Sequence, residues 1–433
     1  MRIALFGNMN NMLFQVARYL RDENHICTLF LFEEFEWFLP SADTYAPENN
    51  IYVEQTNWKR DNIDFISKAD IKKIIIGFDF YIGTDIAPAY FFKAGYKLDI
   101  FYPHGSDLYE YSFFNFINKT PQLWELTNYF FGTLQYQGIA ESLCIALDPS
   151  EDLYEIPLKK IKNSNFERIG SAPFLYKNQY TSGFEHQSSR LDEFVALRKK
   201  YDLIIWQHIS QDWSDRGSIK INKGNHVLIE GFSNYIKQTN KKDKALLILL
   251  EYGTDVQKSK DYIKELGMDH YVMWIPKMLR KDIMPALTQV DFGIGELGYR
   301  RWFSYSSIFE YMQAGLPVIH HRGDDFYRSQ GFDLYPMIDA KTPEILTKTF
   351  LDFENHKEKY QKIGSDSRAW AEDFFEKSMS GFFKQINNKS KDNLIHNYLF
   401  KSLRMRMNIE YLKYSSLFYY YKLKLLVKSI LLK

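Results

Sequence analysis

The feature that most constrains this chain is a series of short apolar runs, each closed by a polar turn. Arg2 to Phe6 is the first. Gly7-Asn8-Met9-Asn10-Asn11 closes it, and Met12, Val16, Tyr19 and Leu20 then recur at helical spacing before a second apolar run from Ile26 to Phe32. Strand, turn, helix and strand in that order make a βαβ unit, which requires a parallel sheet and a right-handed crossover. Ile74-Ile75-Ile76 before Gly77, Leu98 to Tyr102 before Pro103-His104-Gly105, and Ser142 to Leu147 before Asp148-Pro149 are further buried-strand candidates. Together they predict a doubly wound α/β domain, in which ligands bind at the carboxyl ends of strands. The turns at Gly7, Gly77 and His104 are therefore candidate binding loops.

Between Pro173 and Gln187 the sequence shifts to Tyr, Asn, Gln, Ser and Gly, the composition of a linker. A second α/β series follows. Leu203 to Trp206 is a strand and Gln207 to Asn225 a long polar loop. Helices are predicted over His226 to Tyr235 and Val256 to Leu266, and from Ile283 and Ser306. Strands are predicted over Ala245 to Leu250 and Tyr271 to Ile275, and from Phe292 and Pro317. The two halves read as two copies of one architecture: two Rossmann-like domains, 1–185 and 186–365. A helix in 366–386 crosses back towards the first, and a basic aromatic tail occupies 387–433.

Composition removes other classes. Of 433 residues, 45% are hydrophobic and 25% charged, the balance of an ordinary globular protein rather than a disordered or collagen-like one. Two cysteines far apart, Cys27 and Cys144, supply neither a metal spacing nor a disulfide framework, so a reducing compartment is expected. The opening MRIALFG reads as a strand rather than a signal peptide, and no run of about 18 apolar residues predicts a membrane span. No HExxH, CxxC, Gly-x-Ser-x-Gly or Walker pattern occurs. Gly293-Ile294-Gly295-Glu296-Leu297-Gly298 matches GxGxxG, but Tyr299 to Phe303 do not begin a helix, so the dinucleotide context fails and the stretch reads as a flexible loop.

Three stretches carry candidate chemistry. Ser306 and Ser307 stand at a helix start, where unpaired backbone N–H groups and the helix dipole favour an anion. Glu310, three residues after Ser307, either completes a capping box or accepts ribose hydroxyl protons beside a phosphate. The second stretch is the strand-to-helix loop Asp215 to His226, which holds Arg216, Lys220 and Lys223-Gly224. Fixed cations there could stabilise a leaving group that gains negative charge. The third is Tyr102-Pro103-His104-Gly105-Ser106-Asp107. His104 can donate to an anionic group or a sugar hydroxyl near neutral pH, and Asp107 orients it, meets an acceptor hydroxyl or shapes the turn. Gly7 and Asn8 lie in the first strand-to-helix turn, where Gly allows close backbone approach.

The run Glu310-Tyr311-Met312-Gln313-Ala314-Gly315-Leu316-Pro317-Val318-Ile319 closely resembles the nucleotide-sugar signature of GT-B glycosyltransferases, especially the retaining family 4, or group 1, enzymes. The resemblance extends over most of residues 1–380. It implies a GT-B fold with two Rossmann-like domains facing a cleft, a donor nucleotide sugar in the second domain and an acceptor in the first. It implies that Glu310 binds the nucleotide ribose, and that Ser306, Ser307, Arg216 and Lys223 hold the diphosphate, with Lys220 a rival for one place. His104, with Asp107, would approach the donor sugar, and Gly7 and Asn8 would border the cleft. No metal and no cofactor are implied, the nucleotide sugar being a substrate. The implied reaction is hexosyl transfer with retention. An earlier Glu common in that family is replaced here by Trp302, which leaves Glu296 or the pair Arg300-Arg301 to hold the sugar hydroxyls. A GT-B epimerase or phosphorylase would use the same phosphate clamp, and a non-catalytic sugar-nucleotide-binding protein would keep the fold without the site.

Charge is divided along the chain. Residues 384–433 carry a net +9 and the remainder a net −8. The tail interleaves Lys422, Lys424 and Lys428 with Leu417-Phe418, Tyr420-Tyr421, Leu423, Leu425-Leu426 and Ile430-Leu431. That pattern reads first as an interfacial helix on an anionic membrane. It also suits a helix packed on the acidic body, an oligomer contact, or, less well beside an acidic body, nucleic acid. The expectation is a cytoplasmic enzyme, peripheral on the inner face of the membrane, with a glycan or lipid-linked acceptor and no nucleic-acid partner.

Overall fold

The computed structural model describes residues 1–32, 35–46, 51–114, 121–147, 153–161, 167–214, 222–298, 306–391 and 414–424. The chain packs as two compact units. One comprises Met1–Phe38, Glu48–Ala172 and Met379–Lys433, and the other Leu39–Pro47 and Pro173–Ser378. Leu39–Pro47 and the segment 173–185, which the sequence reading placed in the first domain, thus pack with the second unit.

The first unit is built on seven parallel strands: β1 (Arg2–Phe6), β2 (Ile26–Leu31), β3 (Tyr52–Gln55), β4 (Phe80–Gly83), β5 (Ile100–Phe101), β6 (Cys144–Ala146) and β7 (Glu167–Ile169). Their order is β3-β2-β1-β4-β5-β6-β7. The central strands are buried almost throughout, because helices cover both faces of a parallel sheet. Aromatic stacking fills the layer beside them: Phe6 lies 4.6 Å from Phe30 and 5.3 Å from Trp58, and Trp58 lies 4.4 Å from Tyr90.

One predicted strand is a helix. Ile74 and Ile75 end the helix Lys68–Ile75, which starts at Ser67, whose hydroxyl accepts the Asp70 N–H at 3.1 Å. Ile71 and Ile75, four apart, face the core, while Ile76 points outward. A three-residue apolar run cannot separate strand from helix, and the cap decides here. Gly77, at φ +99°, turns the chain into β4. Edge strand β3 escaped sequence reading because all four of its residues are exposed and show no alternation.

The second unit holds β8 (Leu203–Gln207), β9 (Ala245–Leu250), β10 (Val272–Ile275), β11 (Phe292–Ile294), β12 (Val318–His320) and β13 (Ile338–Asp339). All are parallel, in the order β10-β9-β8-β11-β12-β13. Every residue of β8 and β9 is buried. The helix Lys357–Lys391 begins in this unit and ends in the first. Within the first unit, Lys389 pairs with Asp99 at 2.7 Å and Lys384 with Glu167 at 2.7 Å.

Residues 414–424 form a helix in the first unit. Phe418 is only 3% exposed and packs on Leu126 and Phe130 of the helix Leu123–Glu141, with Tyr414, Leu417 and Tyr421 beside it. Lys422 lies over the rings of Phe65 and Phe418 and sits 3.3 Å from Asp64. The face expected to enter a membrane is thus partly spent on the body of the protein. Tyr419, Tyr420 and Leu423 point outward instead. Tail residues 392–413 and 425–433, including Leu425-Leu426, Lys428 and Ile430-Leu431, lie outside the described residues. No helix among the described residues is long and apolar enough to cross a membrane.

Candidate functional site

Strand order in a doubly wound sheet reverses at one place, and the loops on either side diverge there to leave a ligand crevice. In the second unit that place lies between β8 and β11, which pair through Ile205–Phe292 and Trp206–Gly293. His208 follows β8, and Glu296 follows β11. Lys223-Gly224 precedes the helix Asn225–Gln238, and Glu310 lies in the helix Ser306–Gln313. Topology therefore brings Lys223, Glu296 and Glu310, which the sequence singled out, to one switch point together with His208, which it did not.

The loop carrying Lys223 is anchored on both sides. On the incoming side, the buried Asp255 carboxylate accepts the backbone N–H groups of Trp213 and Ser214 at 2.7 and 2.8 Å and the Ser214 hydroxyl at 2.6 Å. On the outgoing side, Lys223 donates its N–H to Asp212 O at 2.8 Å, and its carbonyl accepts from Leu297 N at 2.9 Å. Nζ of Lys223 lies 3.6 Å from Glu296. The Lys223 backbone runs beside the turn after β11 so closely that a Cβ on Gly298 would sit 1.8 Å from Asn222 O. This accounts for the last glycine of the GxGxxG match. The first, Gly293, leaves room for the Tyr311 ring, whose Cγ would lie 2.1 Å from an added Cβ. Arg216, Lys220, Arg300, Arg301 and Trp302 lie outside the described residues.

Glu310 does not turn back to cap its helix. One carboxylate oxygen meets His208 Nε2 at 2.6 Å and the other accepts from Arg280 Nε at 2.7 Å. Arg280 Nη1 reaches on to Asp43 at 2.7 Å. All four residues are buried or nearly so: side-chain exposure is 4% for His208, 8% for Glu310, 10% for Arg280 and zero for Asp43. Burial alone would raise the Glu310 pKa, but Arg280 and His208 outweigh it and hold the carboxyl at about 2. An ionised carboxylate only accepts, so His208 Nε2 carries the proton of that bond. Each Glu310 oxygen keeps a lone pair beyond the bond described. Ser307 is buried in the same helix, and the Ser306 side chain lies outside the described residues.

In the first unit the corresponding switch point lies between β2-β1 and β4. Gly7 holds φ +88° after β1, with Thr84 Cγ2 2.5 Å from where a Cβ would stand. Asn8 is buried: it donates to Asn11 at 2.8 Å and Phe38 O at 2.6 Å, and accepts from Phe14 N at 2.9 Å. These bonds order the helix start. Asp107 accepts backbone N–H groups from His104, Gly105 and Asp85 at 2.8–3.1 Å. Burial pushes its pKa up to about 7 against those donors. Its contacts are those of a turn-shaping residue, one of the roles its type allowed. His104 lies against Tyr102 at 4.8 Å, and burial lowers its pKa to about 3, so it stands as a neutral imidazole.

Sequence reasoning missed His208, Arg280 and Asp43. A signal existed for the first, which stands at the carboxyl end of the strand that opens the second series. Arg280 and Asp43 are 237 positions apart, and nothing local joins them.

No protein-family model matches the chain, and no curated protein matches it significantly in sequence. Solved structures do match in shape. One is Anabaena Alr3699/HepE in complex with UDP and glucose, at 15% identity and TM-score 0.57, covering 90% of this chain and 100% of that one. A glycosyltransferase from Rickettsia africae matches at 14% identity and TM-score 0.58, covering 90% and 99%. A proposed UDP-N-acetylglucosamine 2-epimerase from Listeria monocytogenes matches at 11% and 0.50, covering 89% and 96%. The chain therefore has the GT-B fold, two parallel-sheet units with flanking helices. At these identities the likeness establishes architecture, and activity must be argued from the site.

Proposed function

We propose that the chain is a glycosyltransferase that takes a sugar from a nucleoside-diphosphate sugar held in its second unit. The observation that carries this reading is the convergence of Lys223, Glu296 and the doubly anchored Glu310 at the β8/β11 switch point. A fixed anion with open lone pairs suits the hydroxyls of a ribose, and a lysine on a clamped backbone suits a diphosphate. The HepE structure, which holds UDP and glucose on the same fold, supports a uridine donor as the first to test.

In the proposed reaction the bond from the anomeric carbon to the diphosphate oxygen breaks and that carbon bonds to an acceptor hydroxyl oxygen. The acceptor proton passes to the departing diphosphate. Lys223, Arg216 and the Ser306-Ser307 helix start would offset the charge that gathers there, with no metal in the step. Retention of configuration and a hexosyl donor belong to the same proposal, as does a lipid-linked or cell-surface polysaccharide acceptor. Thermal unfolding with UDP, GDP, ADP and CMP tests the donor. A ligand at about 100 times its Kd stabilises a folded unit by about 2.7 kcal/mol. One nucleotide is expected to raise the Tm by several degrees, and Lys223→Ala or Glu310→Gln to abolish the rise. No shift with any nucleotide would overturn the reading. Turnover of the sugar nucleotide to an epimer without acceptor would favour the epimerase alternative.

Peripheral attachment to an anionic membrane is the second part of the proposal. Its support is the outward strip Tyr419, Tyr420 and Leu423, three and four residues apart on one helix, followed by exposed Lys424. The net +9 of residues 384–433 adds attraction to an anionic surface, from bases other than Lys384, Lys389 and Lys422, which pair with Glu167, Asp99 and Asp64. The full chain should co-sediment with vesicles of phosphatidylglycerol and not of phosphatidylcholine. Tyr420→Ser with Leu423→Ser should lower the bound fraction several-fold. Binding of wild type to neither vesicle, or equally to both, would defeat the reading of attachment to an anionic membrane.

A further inference from the structure

The strongest polar assembly outside the motifs is the buried chain Asp43–Arg280–Glu310–His208. It rests on the nucleotide reading of Glu310 given above and adds a part played by the amino-terminal half of the sequence. Leu39–Pro47 departs from the first unit and packs within the second. There it forms the short helix Pro40–Asp43.

Three contacts fix this segment. Gln179 Nε2 donates to Asp43 O at 2.9 Å. Tyr45 donates its hydroxyl proton to Asp282, which also accepts from Ser188 at 2.8 Å. Asp43 itself takes Arg280 Nη1 at 2.7 Å, with the guanidinium seated 4.4 Å over the Phe174 ring. Arg280 and Asp282 both belong to the first turn of the helix Arg280–Leu287, so the segment grips that helix end from two sides.

We propose that Asp43 and Arg280 are positioning residues that set the plane and charge of Glu310 for a nucleotide ribose. Geometry supplies the first half of the argument. A guanidinium is planar, and with Nη1 held by Asp43 its Nε–H can point in only one direction, towards Glu310. His208 holds the other carboxylate oxygen, so the Glu310 plane has two fixed points. The remaining lone pairs then face a defined direction, as two vicinal hydroxyl donors require. Charge supplies the second half. Arg280 divides its single positive charge between two carboxylates. Glu310 therefore keeps more acceptor strength than it would in a closed one-to-one pair with Arg280. A segment from the first half of the chain thus completes the donor site in the second.

The test compares two ligands on one protein. Full-length wild type, Asp43→Asn and Arg280→Lys are titrated calorimetrically with UDP and with 2′,3′-dideoxy-UDP, or with the corresponding pair for the base that the nucleotide screen selects. Wild type should prefer the ribose form by tenfold or more. Asp43→Asn should lose about tenfold in affinity for UDP and less than twofold for the dideoxy form, so the preference collapses. Arg280→Lys keeps the charge but not the fork, and should behave the same way; it decides the matter if Asp43→Asn does not fold. A merely structural defect would weaken both ligands by one factor, and that result, or no change in either, would overturn the positioning role. Failure of wild type to bind UDP or any nucleotide, or equal affinity for its ribose and dideoxy forms, would instead overturn the reading of Glu310 on which this rests.

Discussion

Replacing Arg280 with methionine is expected to cost the second unit about 3–5 kcal/mol. Arg280 lies between Asp43 and Glu310, both buried, and a thioether in its place would leave two carboxylates without the guanidinium that offsets them. Surface pairs in this chain, such as Lys73 with Asp70, contribute little by comparison, because water screens them. Because the chain has two units, one midpoint would mix them. Hydrogen exchange separates them: amides of β8, β9 and β11 should lose protection in Arg280→Met while those of β1, β2 and β4 keep it. Removing all three charges together, with Asp43→Asn and Glu310→Gln added, should recover most of the loss, since no buried carboxylate charge then stands opposite the missing guanidinium. The acid limb follows from the same pair. The folded carboxyl titrates at about 2 against an ordinary 4.5, so its contribution is complete above pH 4.5 and fades as pH falls towards 2. In Arg280→Met that limb should flatten. A loss below about 1 kcal/mol would mean that the ion chain is not a stabilising element.

Much of the architecture could be read from residue order. The runs at Arg2–Phe6, Ala245–Leu250 and Phe292–Ile294 became strands because each is apolar throughout and closed by a turn. The places of Lys223 and Glu310 in the fold were legible because the loop and helix that carry them follow adjacent central strands. What escaped reading was non-local. Asp43 meets Arg280 across 237 positions, and His208 meets Glu310 across 102, pairings that only the sheet order creates. Ile74–Ile76 was misread because the deciding residue, Ser67, lies outside the apolar run. The tail pattern was ambiguous for a different reason. Its helix has two apolar faces, and only packing decides that Phe418 turns inward and Tyr420 outward. Asp107 shows the same limit at one residue: its type allowed both an orienting and a turn-forming role, and its backbone partners are those of a turn.

Lys223→Ala should lower turnover by about 10²–10³-fold while changing stability by less than about 1 kcal/mol. The two numbers come from different neighbourhoods. In the structure, Lys223 faces Glu296 at 3.6 Å, with both side chains partly exposed, so losing that pair costs the fold little. In the proposed reaction the same ammonium meets the diphosphate in the ground state and meets it more strongly as the bridging oxygen gains negative charge on departure of the sugar, and that increment acts on the barrier. The loss should therefore appear in kcat as well as in KM. Slow hydrolysis of the nucleotide sugar, which needs no identified acceptor, is sufficient as the assay. Gly298→Ala probes the backbone rather than the charge. Its methyl would stand 1.8 Å from Asn222 O, forcing the 222–224 segment away and taking Lys223 with it. The two variants should then fail alike although one retains the lysine. A kcat within threefold of wild type for Lys223→Ala would remove the basic loop from the diphosphate clamp. A Gly298→Ala protein that keeps full turnover would show that this turn does not set the lysine's position.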